Sequence, residues 1–291
     1  MTLFQLLGTD ADNSTPLANS ASKLIVVWGS AGSGKTLIAV NLAFEMASLG
    51  SRVFLVDGDT YGPSIAPALG ITEPGPGILA ALRLARQGRL DEAELKRLSH
   101  ELSFDKHMLQ FLPGVISHMR WNEFDETAVA GLLGQAREQF DVIVVDAAAC
   151  LEPGLYAPES SVSRNQATLG FIEAADLVLG LFSADAVGVN RFLWDLRMVG
   201  FDYSPVANRV RQQAIGLRPE RQLKDAIYKL AHRELSHLLP EDSVATDTAL
   251  QRAQPLLVAA RNSKLREAIR RLAIDALGPS AKLPNREHRS D

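Results

Sequence analysis

The segment WGSAGSGKT, residues 28–36, places a lysine and a threonine directly after a glycine-rich run. The spacing G-x-x-x-x-G-K-[ST] is that of loops whose backbone N–H groups surround a phosphate. In such loops the lysine, here Lys35, reaches the outer phosphates of a nucleotide, and the hydroxyl of Thr36 is a ligand for Mg²⁺. A chance glycine turn is the alternative, which the apolar strand before the loop and the helix after it disfavour. The residues predicted to contact the nucleotide here are Gly29, Ser30, Ala31, Gly32, Ser33, Gly34, Lys35, Thr36 and Leu37.

Carboxylates at the ends of apolar runs are the candidate metal and catalytic groups. Asp146 ends DVIVVD, a pattern in which the acid holds Mg²⁺ directly or through a water; a helix or turn cap is the alternative. Asp57 and Asp59 lie two residues apart in LVDGD, so on a regular strand both point the same way. They could hold the metal's water ligands and orient an attacking water, while an Asx turn before TYGPS is the simpler reading. The predicted metal ligands are Thr36, Asp57 and Asp146.

The elements around these residues alternate between strand and helix. KLIVVWG (23–29) predicts a buried strand, residues 36–50 a helix, and RVFLVDGD (52–59) a second buried strand, which together make a βαβ unit. The sequence therefore predicts an α/β, doubly wound, mostly parallel sheet with helices on both faces. Ligands of such sheets bind beyond the carboxyl ends of the strands. Further strands are predicted at 108–114, 141–149, 175–183, 201–210 and 235–242, and further helices at 77–88, 91–102, 122–140 and 262–277.

The bulk composition is that of an ordinary soluble protein. The chain has 291 residues, of which 46% are hydrophobic, and its net charge of −4 will not by itself attract nucleic acid or anionic lipid. The single cysteine, Cys150, excludes an internal disulfide framework and a Cys-rich metal site within one chain. We expect a flexible leader (1–22), one domain (23–277) and a disordered tail (278–291), with no signal peptide and no membrane-spanning segment, in the cytoplasm.

Three segments carry a resemblance to the MinD/ParA group (SIMIBI class) of P-loop ATPases. GSAGSGKTLIAVNLAFEMASLGSRVFLVDGDTYGPSIAPALG resembles the loop, helix and D-x-D strand of that group, FDVIVVD its second acidic strand, and VANRV the strand end whose asparagine recognises adenine. The resemblance extends over residues 23–277. It implies ATP and Mg²⁺ as cofactors, Asp59 as the residue that positions the attacking water, and Asp57 and Lys35 as its catalytic partners. It also implies that Asn208, with Arg209 beside it, reads the adenine edge.

The sequence departs from the group at Ser30. Members of the group place a second lysine five residues before the P-loop lysine, where it reaches across an ATP-bound dimer to the partner's phosphates. Loss of this cation should weaken hydrolysis, because phosphoryl transfer depends on positioning and electrostatics. Arg164 is a candidate replacement. ATP binding is therefore a firmer expectation than ATP turnover.

Within the group, three functions are compatible with the sequence. The first is a slow Mg²⁺-dependent ATPase that acts as a dimeric positioning switch for cell-pole, septum or pilus-secretion machinery, as in the TadZ/CpaE type. The second is a non-hydrolysing ATP-bound scaffold for such an assembly. The third is a ParA-type DNA partition ATPase, disfavoured although arginines recur at 83, 86 and 89 and in the last helix. The expected partners are a second copy and a protein of the positioning or secretion system, and peripheral association with the inner face of the plasma membrane is left open.

Overall fold

The computed structural model describes residues 22–116, 118–151, 164–196 and 200–278. All but the first residue of the predicted tail (278–291) and all but the last residue of the predicted leader (1–22) lie outside these ranges. One eight-stranded sheet has the order β3-β4-β2-β5-β1-β6-β7-β8, and every neighbouring pair is parallel except β3 and β4. The strands are β1 (Lys23–Gly29), β2 (Val53–Gly58), β3 (His100–Phe104), β4 (His107–Leu112), β5 (Val142–Ala147), β6 (Leu177–Ser183), β7 (Ser204–Val210) and β8 (His237–Pro240).

Helices cover both faces of the sheet, as the α/β prediction requires. A short 3-10 helix, His118–Glu123, precedes α5. No helix in the described ranges has the length and apolar character needed to cross a bilayer. The α-helices are α1 (Lys35–Ser48), α2 (Ile65–Ala68), α3 (Gly77–Arg86), α4 (Glu92–Leu98), α5 (Glu126–Gln139), α6 (Gln166–Glu173), α7 (Ala186–Leu196), α8 (Gln212–Ile215), α9 (Pro219–Ala231), α10 (Ser243–Arg252), α11 (Leu256–Ala259) and α12 (Lys264–Leu277).

The central strands are apolar at every position because both of their faces are buried. In β1, Leu24, Val26 and Trp28 belong to the core under α3, α5, α6 and α7, whereas Ile25 and Val27 belong to the core under α1, α10 and α12. Side chains of a strand alternate between faces, so one unbroken apolar run supplies both cores. This is the physical basis of the predicted strand 23–29, which the structure confirms residue for residue.

Two of the predicted helices are wrong in part. The helix predicted over 91–102 ends at Leu98, and residues 100–104 instead pair antiparallel with β4 across a two-residue turn in which Asp105 is left-handed (φ 47°). The helix predicted over 122–140 begins only at Glu126, because the Asp125 carboxylate accepts the Ala128 N–H and caps it. The local pattern did not reveal the hairpin because its strand lies at the sheet edge, where alternation of buried residues is weak.

The strand order brings the candidate site residues to one edge. β1 lies between β5 and β6, so the chain leaves β1 towards β2 on one side and leaves β5 towards β6 on the other. Ligands of open α/β sheets bind where the chain direction divides in this way. The register pairs Asp146 with Asp57 of β2 and with Val27 of β1, two residues before the end of β1. The predicted carboxylates therefore lie side by side.

A buried ion pair joins α1, the helix after the phosphate loop, to α12. The side chain of Glu45 is 1% exposed and accepts hydrogen bonds from Arg266 (2.6 Å, Nε to Oε1) and Arg270 (3.1 Å, Nη1 to Oε2). Removing one partner of a buried pair leaves uncompensated charge. The pair therefore fixes the last helix of the domain against the helix that carries Lys35 and Thr36.

We expect Glu45→Ala to lower the free energy of unfolding by about 2–4 kcal/mol, less than for fully buried pairs because both arginines reach water. Chemical denaturation measures it. The matched control is Glu267→Ala. It removes an exposed ion pair between Glu267 and Arg271 (3.9 Å), both on α12, and should lower the free energy of unfolding by less than about 0.5 kcal/mol. Equal losses in the two variants would contradict the proposed role of the buried pair.

Candidate nucleotide site

The phosphate loop ends at a helix N-terminus with free donors. Helix α1 has no side-chain cap at Gly34 and no acidic residue in its first turn. By contrast, Asp125 and Asp242 cap α5 and α10. The first N–H groups of a helix have no partner within it, and together with the helix dipole they attract an anion. The N–H groups at the start of α1 are therefore available to a phosphate.

The backbone path of the loop requires glycine at its first position. A Cβ on Gly29 would lie 2.0 Å from the carbonyl oxygen of Leu181 on the neighbouring strand, so no other residue fits. Gly32 is left-handed (φ 80°), and a Cβ there would meet no heavy atom within 4 Å, so its side of the loop is open. Ser30 and Ser33 are buried, and the Ser33 N–H donates to the Ser30 carbonyl (3.1 Å).

Lys35 supplies an uncompensated positive charge beside this loop. It is buried, and within the described ranges its ammonium makes no ion pair or hydrogen bond. The positive charge of Lys35 acts on the pKa of two carboxyl groups. Burial raises the pKa of Asp195 on α7, and the charge of Lys35 opposes that rise. Lys35 also lowers the pKa of Asp146, against the larger effect of burial. A lysine held without a partner is suited to receive phosphate oxygens.

Asp57 and Asp146 form a buried acidic pair. Burial, followed by repulsion from Asp146, raises the pKa of Asp57 to about 8. Burial raises the pKa of Asp146 to about 7, although a hydrogen bond from Thr36 and the charge of Lys35 act in the opposite direction. The Thr36 hydroxyl donates to Asp146 Oδ2 over 2.6 Å and lies 3.0 Å from the Ser64 hydroxyl. Within the described ranges neither carboxylate makes an ion pair, and the charge of Lys35 offsets the burial of Asp146 only in part.

These residues fit a magnesium ion held jointly with phosphates. Asp146 Oδ1 is buried and has no hydrogen-bond partner among the described residues, so one carboxylate oxygen is left for a ligand beside the Thr36 hydroxyl. In the part of the chain that the structure describes, no group of three or more His, Cys, Asp or Glu side chains forms a complete protein cage for a metal. Mg²⁺ at nucleotide sites uses one or two carboxylates plus substrate phosphates, which agrees with the predicted set Thr36, Asp57 and Asp146.

Asp59 lies in the turn after β2, next to the pair formed by Asp57 and Asp146. β2 ends at Gly58, and Asp59 Oδ1 accepts the N–H groups of Tyr61 (2.8 Å) and Gly62 (3.0 Å). The alternative reading, an Asx turn, is thus present in the structure. The Asp59 N–H donates to Asp57 Oδ1 (3.3 Å), so the two aspartates are linked through the backbone. Asp59 is only partly buried and remains compatible with contact to a water.

Arg164 is engaged elsewhere and is not a free replacement for the lysine that Ser30 displaces. Its guanidinium donates to the Thr60 carbonyl (2.6 Å) and lies 3.9 Å from the centre of the Tyr61 ring. The Tyr61 hydroxyl donates to Asn165 Oδ1 (2.7 Å). These contacts, which we call the Tyr61–Arg164 clasp, tie the segment after Asp59 to residues 104 positions further along the chain. The sequence offers no signal for these contacts, since no motif connects Tyr61 with Arg164 or Asn165.

The predicted base-binding residues line a cavity of about 680 Å³. Gly34, Asn208 and Arg209 form one part of its wall. Pro240, which ends β8, and the following Glu241 and Asp242 form another. Leu37 and Thr36 lie on the wall contributed by α1. The cavity therefore runs from the phosphate loop to the ends of β7 and β8. Ala31 is exposed and does not line it.

Comparisons with known proteins agree with this geometry. The family model described as ParA, NUBPL iron-transfer P-loop NTPase, matches residues 19–94. The septum site-determining protein MinD of Synechocystis sp. is 26% identical over 225 residues, which is 75% of this chain and 76% of that protein. The chain is thus similar to P-loop NTPases of the MinD/ParA type.

Solved structures confirm the fold of the MinD/ParA-type domain. A ParA family ATPase from Chlorobium tepidum superposes with a TM-score of 0.71 at 20% identity and covers 87% of this chain and 98% of that one. MinD from Pyrococcus horikoshii, complexed with Mg-ADP, gives a TM-score of 0.65 at 19% identity and covers 87% and 94%. The predicted α/β class with a mostly parallel sheet is therefore confirmed, whereas the TadZ/CpaE subtype stays a prediction.

The acidic pair predicts a gain in stability when one charge is removed. We expect Asp146→Asn to raise the melting temperature of the MinD/ParA-type domain by about 2–4 °C or more at pH 8.5 in EDTA without nucleotide, equivalent to at least about 1 kcal/mol. The asparagine keeps an acceptor for Thr36 while the repulsion with Asp57 disappears. Differential scanning calorimetry measures it.

The gain in stability expected for Asp146→Asn should depend on pH. The native pKa of Asp146 (about 7) exceeds its ordinary value of 3.8, so the stability that its neutral form contributes is complete below pH 3.8 and is lost as the pH rises through 7. The variant should therefore exceed the wild type increasingly between pH 4 and pH 8. A variant that is less stable than the wild type at pH 8.5 would contradict the assignment of a repulsive buried pair.

Proposed function

We propose that the chain binds Mg²⁺·ATP at this sheet edge, hydrolyses it slowly, and uses its nucleotide state to switch between a monomer and a face-to-face dimer in a positioning system. The observation that carries the proposal is an arrangement of opposite charges. The uncapped N-terminus of α1 and Lys35 lie beside two buried carboxylates, and within the described ranges Lys35 has no ion pair and Asp146 Oδ1 no hydrogen-bond partner. A nucleotide–metal complex neutralises both kinds of group, because its phosphates meet the positive groups and its metal ion meets the carboxylates. The relatives named MinD and ParA support ATP and positioning by similarity.

Each residue then has a role in binding or turnover. The N–H groups at the start of α1 and the Lys35 ammonium hold the outer phosphates, where they stabilise charge in the transition state. Thr36, Asp57 and Asp146 would hold Mg²⁺, which offsets charge on the phosphates when bound. Asp59 accepts a hydrogen bond from the attacking water and orients it. Asn208 and Arg209 lie on the nucleoside side of the cavity.

A non-hydrolysing scaffold for a pilus or secretion assembly is the second candidate. Ser30 favours it, because the cation that the group carries at this position is absent and Arg164 is occupied by Thr60 and Tyr61. Partner proteins would then recognise an ATP-bound form that persists. The scaffold and the switch use the same binding site and differ only in turnover.

The DNA-partition alternative receives less support from the charges. Arg83 pairs with Glu123 and Arg86 with Asp125, while Arg270 of the last helix pairs with Glu45. Arginines that already hold carboxylates release few counterions on meeting DNA, and such release drives non-specific DNA binding. The described surface thus favours a protein partner over nucleic acid.

We expect the wild type to hydrolyse ATP and Asp59→Ala to do so about 100-fold more slowly or at background, because the water loses its acceptor. Release of phosphate measures turnover, and light scattering on the same samples measures mass with ATP and with ADP. Asp225→Ala, an exposed aspartate on α9, is the matched control and should keep the wild-type rate. Equal background rates in both proteins would leave only the scaffold, and an unchanged mass would count against the switch.

Restoring a lysine should accelerate the reaction. We expect Ser30→Lys to raise the turnover rate by about tenfold or more, because a cation placed at the phosphates stabilises charge that develops during transfer. Ser30→Met, which adds similar bulk without charge, is the control and should not exceed the wild-type rate. A rate that is unchanged in the lysine variant, with ATP binding intact, would show that the missing cation does not limit hydrolysis.

A further inference from the structure

The Asn208 side chain is committed to the phosphate loop. Its Nδ2 donates to the Ser33 carbonyl oxygen over 2.8 Å, although the two residues are 175 positions apart in the chain. Its Oδ1 accepts the Arg209 N–H over 2.9 Å. The residue is 2% exposed. Both ends of the amide thus have protein partners inside the wall of the cavity.

This contact controls the orientation of a loop peptide. The C=O and N–H of one planar trans peptide point in opposite directions. Holding the Ser33 carbonyl towards Asn208 therefore turns the Gly34 N–H to the opposite side of the loop, at the start of α1. Gly34 is left-handed (φ 88°), and a Cβ there would lie 2.6 Å from Asn208 Nδ2. The approach of Asn208 is possible only because Gly34 has no side chain.

Arg209 is exposed, whereas the neighbouring Asn208 is buried. A register shift between Ala207 and Val210 makes a bulge in β7, and Arg209 is left-handed there (φ 57°), a conformation that non-glycine residues seldom adopt. Bulges redirect side chains, often at binding sites. Arg209 is exposed on the wall of the 680 Å³ cavity. Within the described ranges its guanidinium makes no hydrogen bond or ion pair.

From these observations we infer a division of roles: Asn208 is a positioning residue that orients the phosphate loop, and the Arg209 guanidinium is the group that contacts the nucleoside. A planar guanidinium stacks on aromatic rings and donates several hydrogen bonds, so it suits a purine and its ribose. The inference rests on the proposed binding of ATP. It assigns base recognition to Arg209, which is exposed and left-handed, instead of Asn208, which is buried.

Two ligands separate the roles: ATP and inorganic tripolyphosphate, each with Mg²⁺, because tripolyphosphate has the phosphates without the nucleoside. Calorimetric titration gives both affinities for the wild type, Asn208→Ala and Arg209→Ala. Asn208→Ala should weaken both ligands by about tenfold, and Arg209→Ala should weaken ATP by about tenfold and tripolyphosphate by less than about twofold. The control is Arg221→Ala, an exposed arginine on α9 that pairs with Asp225 and should change neither.

Hydrogen exchange supplies a readout that needs no ligand. In nucleotide-free protein, Asn208→Ala should raise the exchange of amides in peptides covering residues 29–37, and Arg209→Ala should not. The inference is overturned if Asn208→Ala weakens only ATP and leaves exchange unchanged, or if Arg209→Ala affects both ligands equally or neither. Absence of binding of both ligands to the wild type would instead overturn the proposed function, and with it the assignment of Arg209. The variant Asn208→Ser, smaller in its disturbance, replaces the alanine variant if that one does not fold.

Discussion

The parallel pairing of β2 with β5 places Asp57 and Asp146 at matched positions on adjacent strands, and both are buried. In the part of the chain that the structure describes, neither carboxylate makes an ion pair, and burial and repulsion raise the pKa of Asp57 to about 8. Buried like charges are costly, so the pair is stable only with a proton or with a positive ligand. The rest of the site can be understood from this constraint. The apolar strands hold the pair in place, Thr36 donates to one oxygen, and Lys35 stands near without an ion pair within the described ranges. A locally unfavourable free energy, such as that of two buried like charges, is typical of functional sites.

The same edge contains two connections between distant segments. Asn208 joins the end of β7 to the phosphate loop, and the Tyr61–Arg164 clasp joins the segment after Asp59 to the start of α6. The clasp therefore holds the residues directly after Asp59 against the residues that precede α6.

The substitution at Ser30 separates binding from turnover. The groups that we propose to hold phosphates, the α1 N-terminus and Lys35, are present, whereas a small buried serine stands where the MinD/ParA group has its additional cation. Binding depends on donors that are already in place. Turnover depends on charge stabilisation in the transition state, for which one cation is worth a large factor. The switch and the scaffold are thus two readings of a single proposed binding site, and they differ in whether bound ATP is hydrolysed.

The sequence alone determined the features that are local in the chain. The unbroken apolar run of β1, the glycine spacing up to Lys35 and the aspartate at the end of β5 each depend on neighbouring residues, so they predicted the fold class and the phosphate, metal and nucleotide residues. Only the tertiary structure decided which partners those residues meet. The Ser33 carbonyl bonded to Asn208, the engagement of Arg164 and the edge hairpin of β3 depend on register and on contacts between segments far apart in the chain. A sequence pattern records what each segment can form, whereas the choice among distant partners is made by the packing of all segments at once.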